Sequence, residues 1–365
     1  MSVSGGAASP GPAPEARRER RVVAKSIKTM EDFSAFVGLS RPTVSKYFHD
    51  PSSVRKKTRD TIEEALRKSG FRPNILAVNL NRRRSNIIGV VIPNSIDPFY
   101  MALTRRIELI ANSAGYLPFV LSSDGRMEME ENAIKIFKSM NVAGAIIAPL
   151  IMRSRQPMLE QLSQSIPIVY IDSPINDTSP FVGTDNRQSF GLIVDYLCRS
   201  GEPPCYFGMP QINTNAVARA SAYSEAMQRL DVEPRVVPIS DAMTWDFEKF
   251  AFEEANRLFE NIDRLPSRTI LCANDRLAFG VIAAAWQRGL KVGHGAENDL
   301  RVAGHDDHPL SEYACPPITT VAQNYNEIGR IAIELLLCKL NDADEAGCGK
   351  DQVLLKADLM LRRSA

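Results

Sequence analysis

Two kinds of hydrophobic spacing divide the chain. Between residues 29 and 70 apolar positions recur every three or four residues in three short stretches, the spacing of helices that each bury one face. Met30, Phe33 and Val37 make the first stripe, Val44, Tyr47 and Phe48 the second, and Ile62, Ala65 and Leu66 the third. The stops lie between them. Asp32 falls near the first helix start, and Gly38 follows its end as a residue free to turn left-handed. Ser40 is a sound N-cap for the second helix. Pro42 is tolerated in the first turn, where no backbone N–H is needed, and Gly70 ends a third helix expected over about 56–69. From Ile87 the pattern changes. Apolar runs (IIGVVIP, LPFVLSS, VAGAIIAP, IPIVYID, CYFGMP, RVVPIS, TILCAN, RVAGHD) alternate with helical stretches near 99–114, 127–140, 188–200, 216–229, 246–260 and 275–288. Strands apolar on both faces and separated by helices predict parallel sheets covered on both sides, and two successive sets predict two similar lobes.

The expected fold is therefore an N-terminal all-α head followed by an α/β two-lobed core. Two short helices joined by a tight glycine turn, with a third to close the core, form a helix-turn-helix unit. Arg41, Pro42, Ser45 and Lys46 then face away from Val44, Tyr47 and Phe48, free to meet base edges in a major groove. Charge points the same way. Residues 1–85 hold 18 Lys and Arg against 8 Asp and Glu, so a chain of net charge +1 is about +10 at this end and −9 over the rest. The Gly, Ala, Pro and Ser of residues 1–26, followed by RRERR, cannot bury enough to fold, and a disordered basic arm is expected there. The boundaries follow as arm 1–26, head 27–72, hinge or linker 73–85 and core 86–365. Lobe 1 is expected over about 86–185 plus 325–342, and lobe 2 over about 186–322 plus 352–365.

At 365 residues and 44% apolar the chain can fill two or three compact units. It contains no run of about 18 apolar residues to span a membrane, and its N-terminus lacks the apolar core of an export signal, so a cytosolic location is expected. Six cysteines (Cys198, Cys205, Cys272, Cys315, Cys338, Cys348) form no CxxC pair and have no histidines at zinc spacing, which predicts free thiols with neither disulfide nor metal. The run HDDH at 305–308 offers metal-ligand types, but adjacent residues do not easily face one ion. No GxGxxG, P-loop or GxSxG falls on a strand-to-helix turn and no Cys/His pairing marks a nucleophile, so neither an enzyme nor a cofactor is expected. Ligands of open α/β sheets bind beyond the strands' carboxyl ends. The polar residues there are Asn94, Asp97, Asp172, Asn274, Asp275 and His305 to Asp307.

Taken in order, DFSAFVGLSRPTVSKYF, VRKKTRDTIEEALRKSGFRPN, IIGVVIPNSIDPFY, FVGTDN, RASAY, CANDRLAFG, VAGHDD and PPITTVAQ resemble the lactose-repressor (LacI) family of bacterial transcription regulators. The resemblance covers about residues 28–365. It implies a homodimeric regulator, expected to be a repressor, that binds double-stranded operator DNA and is controlled by a small effector, a sugar or polyol, between two periplasmic-binding-protein-like lobes. By that resemblance Arg41, Pro42 and Lys46 read the major groove, and Thr43 and Ser45 lie beside the phosphates. Thr29, His49, Asn74 and Ala77 complete the DNA-facing set, and Leu80 falls where the family has a hinge leucine that wedges into the minor groove. Arg219, Asn274, Asp306 and Gln323 fall at effector positions, joined by Asp97, Phe99, Asp172 and Trp245. For the acids the alternative role is capping the helix that follows each strand. The sequence departs from the family pattern at Phe33 or Ser34, Pro42, Lys46, Arg55, Ala222 and His305. A solute-binding protein of transport shares such a core; the head and the missing export signal argue against it. The end at RRSA, without a heptad tail, favours a dimer over a tetramer.

Overall fold

The computed structural model describes residues 27–49, 51–72, 85–150, 156–341 and 348–365. The expected arm and the hinge residues Asn74, Ala77 and Leu80 lie outside the described residues. The chain divides into two units, Met1–Arg82 and Arg83–Ala365, each considered by itself below.

In the first unit α1 (Met30–Val37), α2 (Arg41–His49) and α3 (Lys56–Ser69) occupy the three predicted stretches. Local chemistry sets their ends. The Thr29 hydroxyl accepts from the Asp32 N–H while the Asp32 carboxylate accepts from the Thr29 N–H, a reciprocal cap. Gly38 takes φ 75° and donates its N–H to the Ser34 carbonyl, ending α1 and turning the chain toward α2. Phe33, Val44 and Ile62, all fully buried, meet at the centre, and Phe33 stacks on Phe71 with ring centroids 4.7 Å apart.

The second unit opens with β1 (Ile87–Ile92), α4 (Pro98–Ser113), β2 (Leu117–Ser122), α5 (Met127–Met140), β3 (Gly144–Ile147), α6 (Gln156–Ser163), β4 (Ile168–Ile171) and β5 (Phe181–Thr184). The chain then crosses to a second lobe: α7 (Asn186–Ser200), β6 (Cys205–Phe207), α8 (Thr214–Arg229), β7 (Arg235–Val236), α9 (Phe247–Leu258), β8 (Thr269–Cys272), α10 (Asp275–Gln287), β9 (Arg301–Ala303) and β10 (Thr320–Ala322). It returns with α11 (Tyr325–Leu340) and β11 (Gln352–Leu355) and ends on β12 (Asp358–Met360). The first sheet runs β11-β5-β4-β3-β1-β2 and the second β7-β6-β8-β9, all pairs parallel; β10 and β12 pair antiparallel. Strand β1 shows why alternation was absent from the sequence. Ile88, Val90 and Ile92 pack with Leu103 and Ile107 on one face, Ile87 and Val91 with Phe137 on the other.

Two expectations are corrected. Residues 352–355 pair with β5 in the first sheet, register Val353 to Val182, so they belong to the first lobe rather than the second. A short edge strand is fixed by its pairing partner, which the apolar pattern does not name. Cys338 and Cys348 are joined as a disulfide, where free thiols were expected. The last turn of α11 and the approach to β11 bring their Cα atoms to 5.5 Å, a closeness that ten residues of sequence separation conceal.

Three passages connect the lobes: at Asp185, at Gln323 and Asn324, and at Lys356 and Ala357. Side chains tie them together. The Thr184 hydroxyl donates to the Gln323 side-chain oxygen Oε1, and Gln188 exchanges two hydrogen bonds with the backbone of Ala357, at 2.9 and 3.1 Å.

Candidate functional site

At the centre of the interlobe cleft stands Arg219, on α8 and only 4% exposed. Its Nη1 donates to the Ala273 carbonyl at 2.7 Å and its Nη2 to Asp306 Oδ1 at 2.9 Å. The same Asp306 oxygen accepts from Gln323 Nε2 at 2.7 Å and bonds His305 Nδ1 at 2.9 Å. Burial acts to raise the Asp306 pKa, but Arg219 and His305 outweigh it and hold the carboxyl at about 2. Burial, helped by the Arg219 charge, pushes His305 down to about 4, so its ring is neutral at pH 7. A carboxylate only accepts; the single ring proton therefore sits on Nδ1, and Nε2 accepts from the Ser189 hydroxyl at 2.9 Å.

Two more acids face this group. Asp172, at the end of β4, accepts from the Tyr100 hydroxyl at 2.7 Å and from Asn215 Nδ2 at 2.8 Å. Burial pushes it up to about 6, with the negative charges of Asp306 and Asp97 adding to the rise. Asp97 caps α4 by accepting from the Phe99 N–H at 3.0 Å and takes Arg276 Nη1 at 3.2 Å; burial raises its pKa against the pull of Arg276. Asp172 (φ 63°) and Asp306 (φ 113°) both stand in the left-handed region. Such residues cost about 1–3 kcal/mol each and persist where surrounding bonds fix them, as these do.

Across the cleft mouth, Arg276 of the second lobe grips Glu248 with two 2.7 Å bonds, lies 5.0 Å from the Phe247 ring centroid, and reaches Asp97 of the first lobe. Trp245, also from the second lobe, rests on Gly125 of the first. A Cβ there would come within 2.1 Å of the indole. The site is thus a polar floor of carboxylates and one guanidinium, with Phe99, Tyr100 and Trp245 beside it. Carboxylates take ligand hydroxyl protons, a guanidinium donates to ligand oxygens, and aromatic faces cover the apolar side of a ring.

In the head, the exposed residues of α2 are Arg41, Pro42, Ser45 and Lys46, with Thr43 partly exposed and Val44 buried. Arg41 Nε pairs with Glu31 at 2.9 Å, an exposed contact that DNA phosphates can replace. The Thr43 hydroxyl lies 2.8 Å from that of Ser40.

A profile of "Bacterial regulatory proteins, lacI family" matches residues 29–74, the whole helix-turn-helix, and one of the "Periplasmic binding protein-like domain" matches residues 203–365. The chain carries a lacI-family DNA-binding domain followed by a periplasmic-binding-protein-like domain. It is accordingly a DNA-binding transcriptional regulator. The HTH-type transcriptional repressor CytR of Escherichia coli (strain K12) is 29% identical over 346 residues, 92% of this chain and 96% of that one. The ribose operon repressor of the same strain is 27% identical over 86% and 93% of the two chains. The same fold is seen in the lac repressor dimer bound to operator and the anti-inducer ONPF (TM-score 0.78, 23% identity, 92% of this chain and 98% of that one). It is seen again in the transcriptional regulator CelR in complex with cellobiose (TM-score 0.62, 22% identity, 92% and 99%).

Against this lacI-family frame, seven of the eight expected cleft residues converge: Asp97, Phe99, Asp172, Arg219, Trp245, Asp306 and Gln323. Two of them have other work as well. Asp97 is a helix cap, and both ends of the Gln323 amide are engaged by Thr184 and Asp306. Asn274 is the eighth; its side chain caps α10 by accepting from the Leu277 N–H at 2.9 Å. Asp185 likewise caps α7. Asp275 does neither: its carboxylate accepts from the Ser311 and Thr320 hydroxyls and the His308 N–H, and so anchors the loop that carries Asp306. The HDDH run fans apart, with Asp307 paired to Arg362 and His305 turned onto Phe190. Thr29 is exposed and its hydroxyl caps α1; His49 closes α2. Tyr100, Asn215, Glu248 and Arg276 were missed by the sequence reading. Two of them sit one residue beyond positions that were chosen, Tyr100 after Phe99 and Arg276 after Asp275.

Proposed function

We propose that this lacI-family regulator is an effector-controlled repressor. Arg41, Pro42 and Lys46 read operator base edges, Thr43 and Ser45 contact phosphates with Thr29 and His49, and the cleft around Arg219 holds a hydroxyl-rich effector, a sugar or polyol. The observation that carries the effector class is the gathering of Asp172 and Asp306 around the buried Arg219 guanidinium, with Asp97 held by Arg276 at the cleft mouth and three aromatic rings beside them. Relatives named for ribose and cellobiose support the same class.

One helix-turn-helix reads a half-site, so the working species is a homodimer on a two-fold operator. Exposed Met101 and Leu109 on α4 and exposed Trp286 and Tyr313 on the second lobe supply apolar surface for the partner subunit. Asn74, Ala77 and Leu80 keep their proposed place in a hinge that contacts the minor groove. Location follows from function: the protein acts in the compartment that holds the chromosome.

The cleft and the passages between the lobes share side chains. Asp306 bonds Gln323, Gln323 bonds Thr184, and the last two lie on separate passages. An effector that draws on Asp306 alters the joint on which lobe closure turns. A thermal-shift screen against sugars, polyols and nucleosides tests the reading, since a ligand of the folded state raises its melting temperature. Arg219→Ala should abolish the shift given by any hit while binding to a selected DNA site survives. A hit unaffected by Arg219→Ala refutes the assigned site. Calorimetry with and without that DNA should show effector affinity changed by about 1–3 kcal/mol, the reciprocal of the effector's influence on DNA.

A further inference from the structure

The cysteines outside the cleft differ in what they are placed to do. Cys205 and Cys272 are buried in second-lobe strands, Cys198 is half-buried and Cys315 is exposed and unbonded. Cys338 and Cys348 are both partly exposed and bonded to each other. Cys338 stands in the last turn of α11, the helix that begins just after the second passage between the lobes. Beyond Cys348 the chain is fastened at several points. Asp351 pairs with Lys339 at 2.7 Å, its carbonyl accepts from the Phe181 N–H at 2.7 Å, and the Gln352 amide donates to the Ser179 carbonyl. Strand β11 follows. Among the described residues it is the outermost strand of the first sheet, paired with β5 on one side, and it runs directly into the third passage at Lys356.

We propose that Cys338 and Cys348 form a reversible thiol–disulfide site that fastens or releases the edge strand leading into the third passage between the lobes. A regulator works beside DNA, in a compartment where small thiols keep cysteines reduced, and disulfides found there are turned over rather than permanent. The co-reactant is a small disulfide of the glutathione class. One protein thiolate attacks it, forming a mixed disulfide and releasing one small thiolate. The second protein thiolate attacks the protein sulfur of that mixed disulfide, forming the Cys338–Cys348 bond and expelling the other small thiolate. Two protein thiols are oxidised, one small disulfide becomes two thiols, and the two protons pass from the protein thiols to the released thiolates. Oxidised, the start of β11 is tied covalently to α11; reduced, it is held by the Lys339 ion pair and the sheet bonds. The redox state of the cell thereby bears on the same joint that the effector does.

The full chain is equilibrated in glutathione buffers from strongly reducing to oxidising, blocked with iodoacetamide and digested for mass spectrometry. Peptides containing Cys338 and Cys348 should become linked to each other as the buffer turns oxidising and separate again on return to reducing buffer. Cys315 should carry single glutathione adducts. Hydrogen exchange of residues 352–360 should slow in the oxidised protein, and Tm should rise by roughly 5 °C or more, a rise absent in Cys338→Ser and in Cys348→Ser. Both cysteines alkylated throughout, a link that no glutathione ratio opens, or exchange at 352–360 indifferent to the bond would each overturn the proposal. The linkage and exchange measurements use the wild-type chain, so a variant that fails to fold leaves them decisive.

Discussion

Replacing Asp275 separates two opposed forces that act on one buried carboxyl. Three donors point at it: the Ser311 hydroxyl at 2.6 Å, the Thr320 hydroxyl at 2.6 Å and the His308 N–H at 2.8 Å, bonds that favour the charged form. Burial favours the neutral form and wins, lifting the pKa from 3.8 to about 7. Asp275→Ala strands three donors, and at about 1–3 kcal/mol each the loss should come to about 3–9 kcal/mol. Asp275→Asn keeps the shape. Its oxygen can serve Ser311 and His308 while its amide donates to the Thr320 oxygen, so the cost near pH 4.5 should be about 1 kcal/mol. The pH dependence carries the sharper test. Between the unfolded pKa and about 7 the folded state binds one more proton than the unfolded state, so this group's stabilisation is full below about pH 3.9 and drains away as pH rises. Relative to the Asn variant, wild type should lose about 1.4 kcal/mol per pH unit, or about 3 kcal/mol from pH 4.5 to 6.5. Urea titrations followed by fluorescence measure it cleanly, because both tryptophans, Trp245 and Trp286, lie in the core unit and none in the head. Parallel stability curves for wild type and Asp275→Asn would refute the reasoning and show the donors outweighing burial.

Lys46→Ala should cost on the order of 1–3 kcal/mol on a site selected from random-sequence DNA and little on bulk DNA; equal losses in a gel-shift titration would count against base reading. Phe33→Ala should remove about 3–5 kcal/mol from the head while the urea transition seen by tryptophan stays put, and a shifted transition would tie the two units together. Gly125→Ala places a Cβ within 2.1 Å of the Trp245 indole and strains a φ of 66°, so it should part the lobes on that side and shift Trp245 emission to the red. An unchanged spectrum would mean the indole has another seat.

What sequence could reveal depended on how far apart the interacting residues lie. The ends of α1 and α3 were legible because Gly38 and Gly70 act on their own turns, and the head core because Phe33, Val44 and Ile62 each repeat at helical spacing. The two lobes were legible from strand composition alone. Arg219 and Asp306 were found by family motif and strand-end position, but the pairing between them spans 87 residues and is a product of the fold. Arg276 escaped because its meaning lies in Asp97, 179 residues away, and in Glu248, 28 away. Edge strand β11 and the Cys338–Cys348 bond were misjudged for the same reason, since each depends on what a segment lies beside. Thr29 and Asn274 illustrate the other limit: a side chain chosen for a ligand role also meets a local backbone need, and sequence does not weigh the two.

The glutamine-tied passages have an evolutionary consequence. Side chains at the cleft rim, such as Phe99 and Trp245, are not the ones that join the passages, which are Thr184, Gln188, Gln323 and Ala357. Drift at the rim can therefore exchange one ligand for another without rebuilding the machinery that reports on it. Gln323 is the exception, since it belongs to both sets, and it is the position where a change of diet and a loss of obedience would be inherited together.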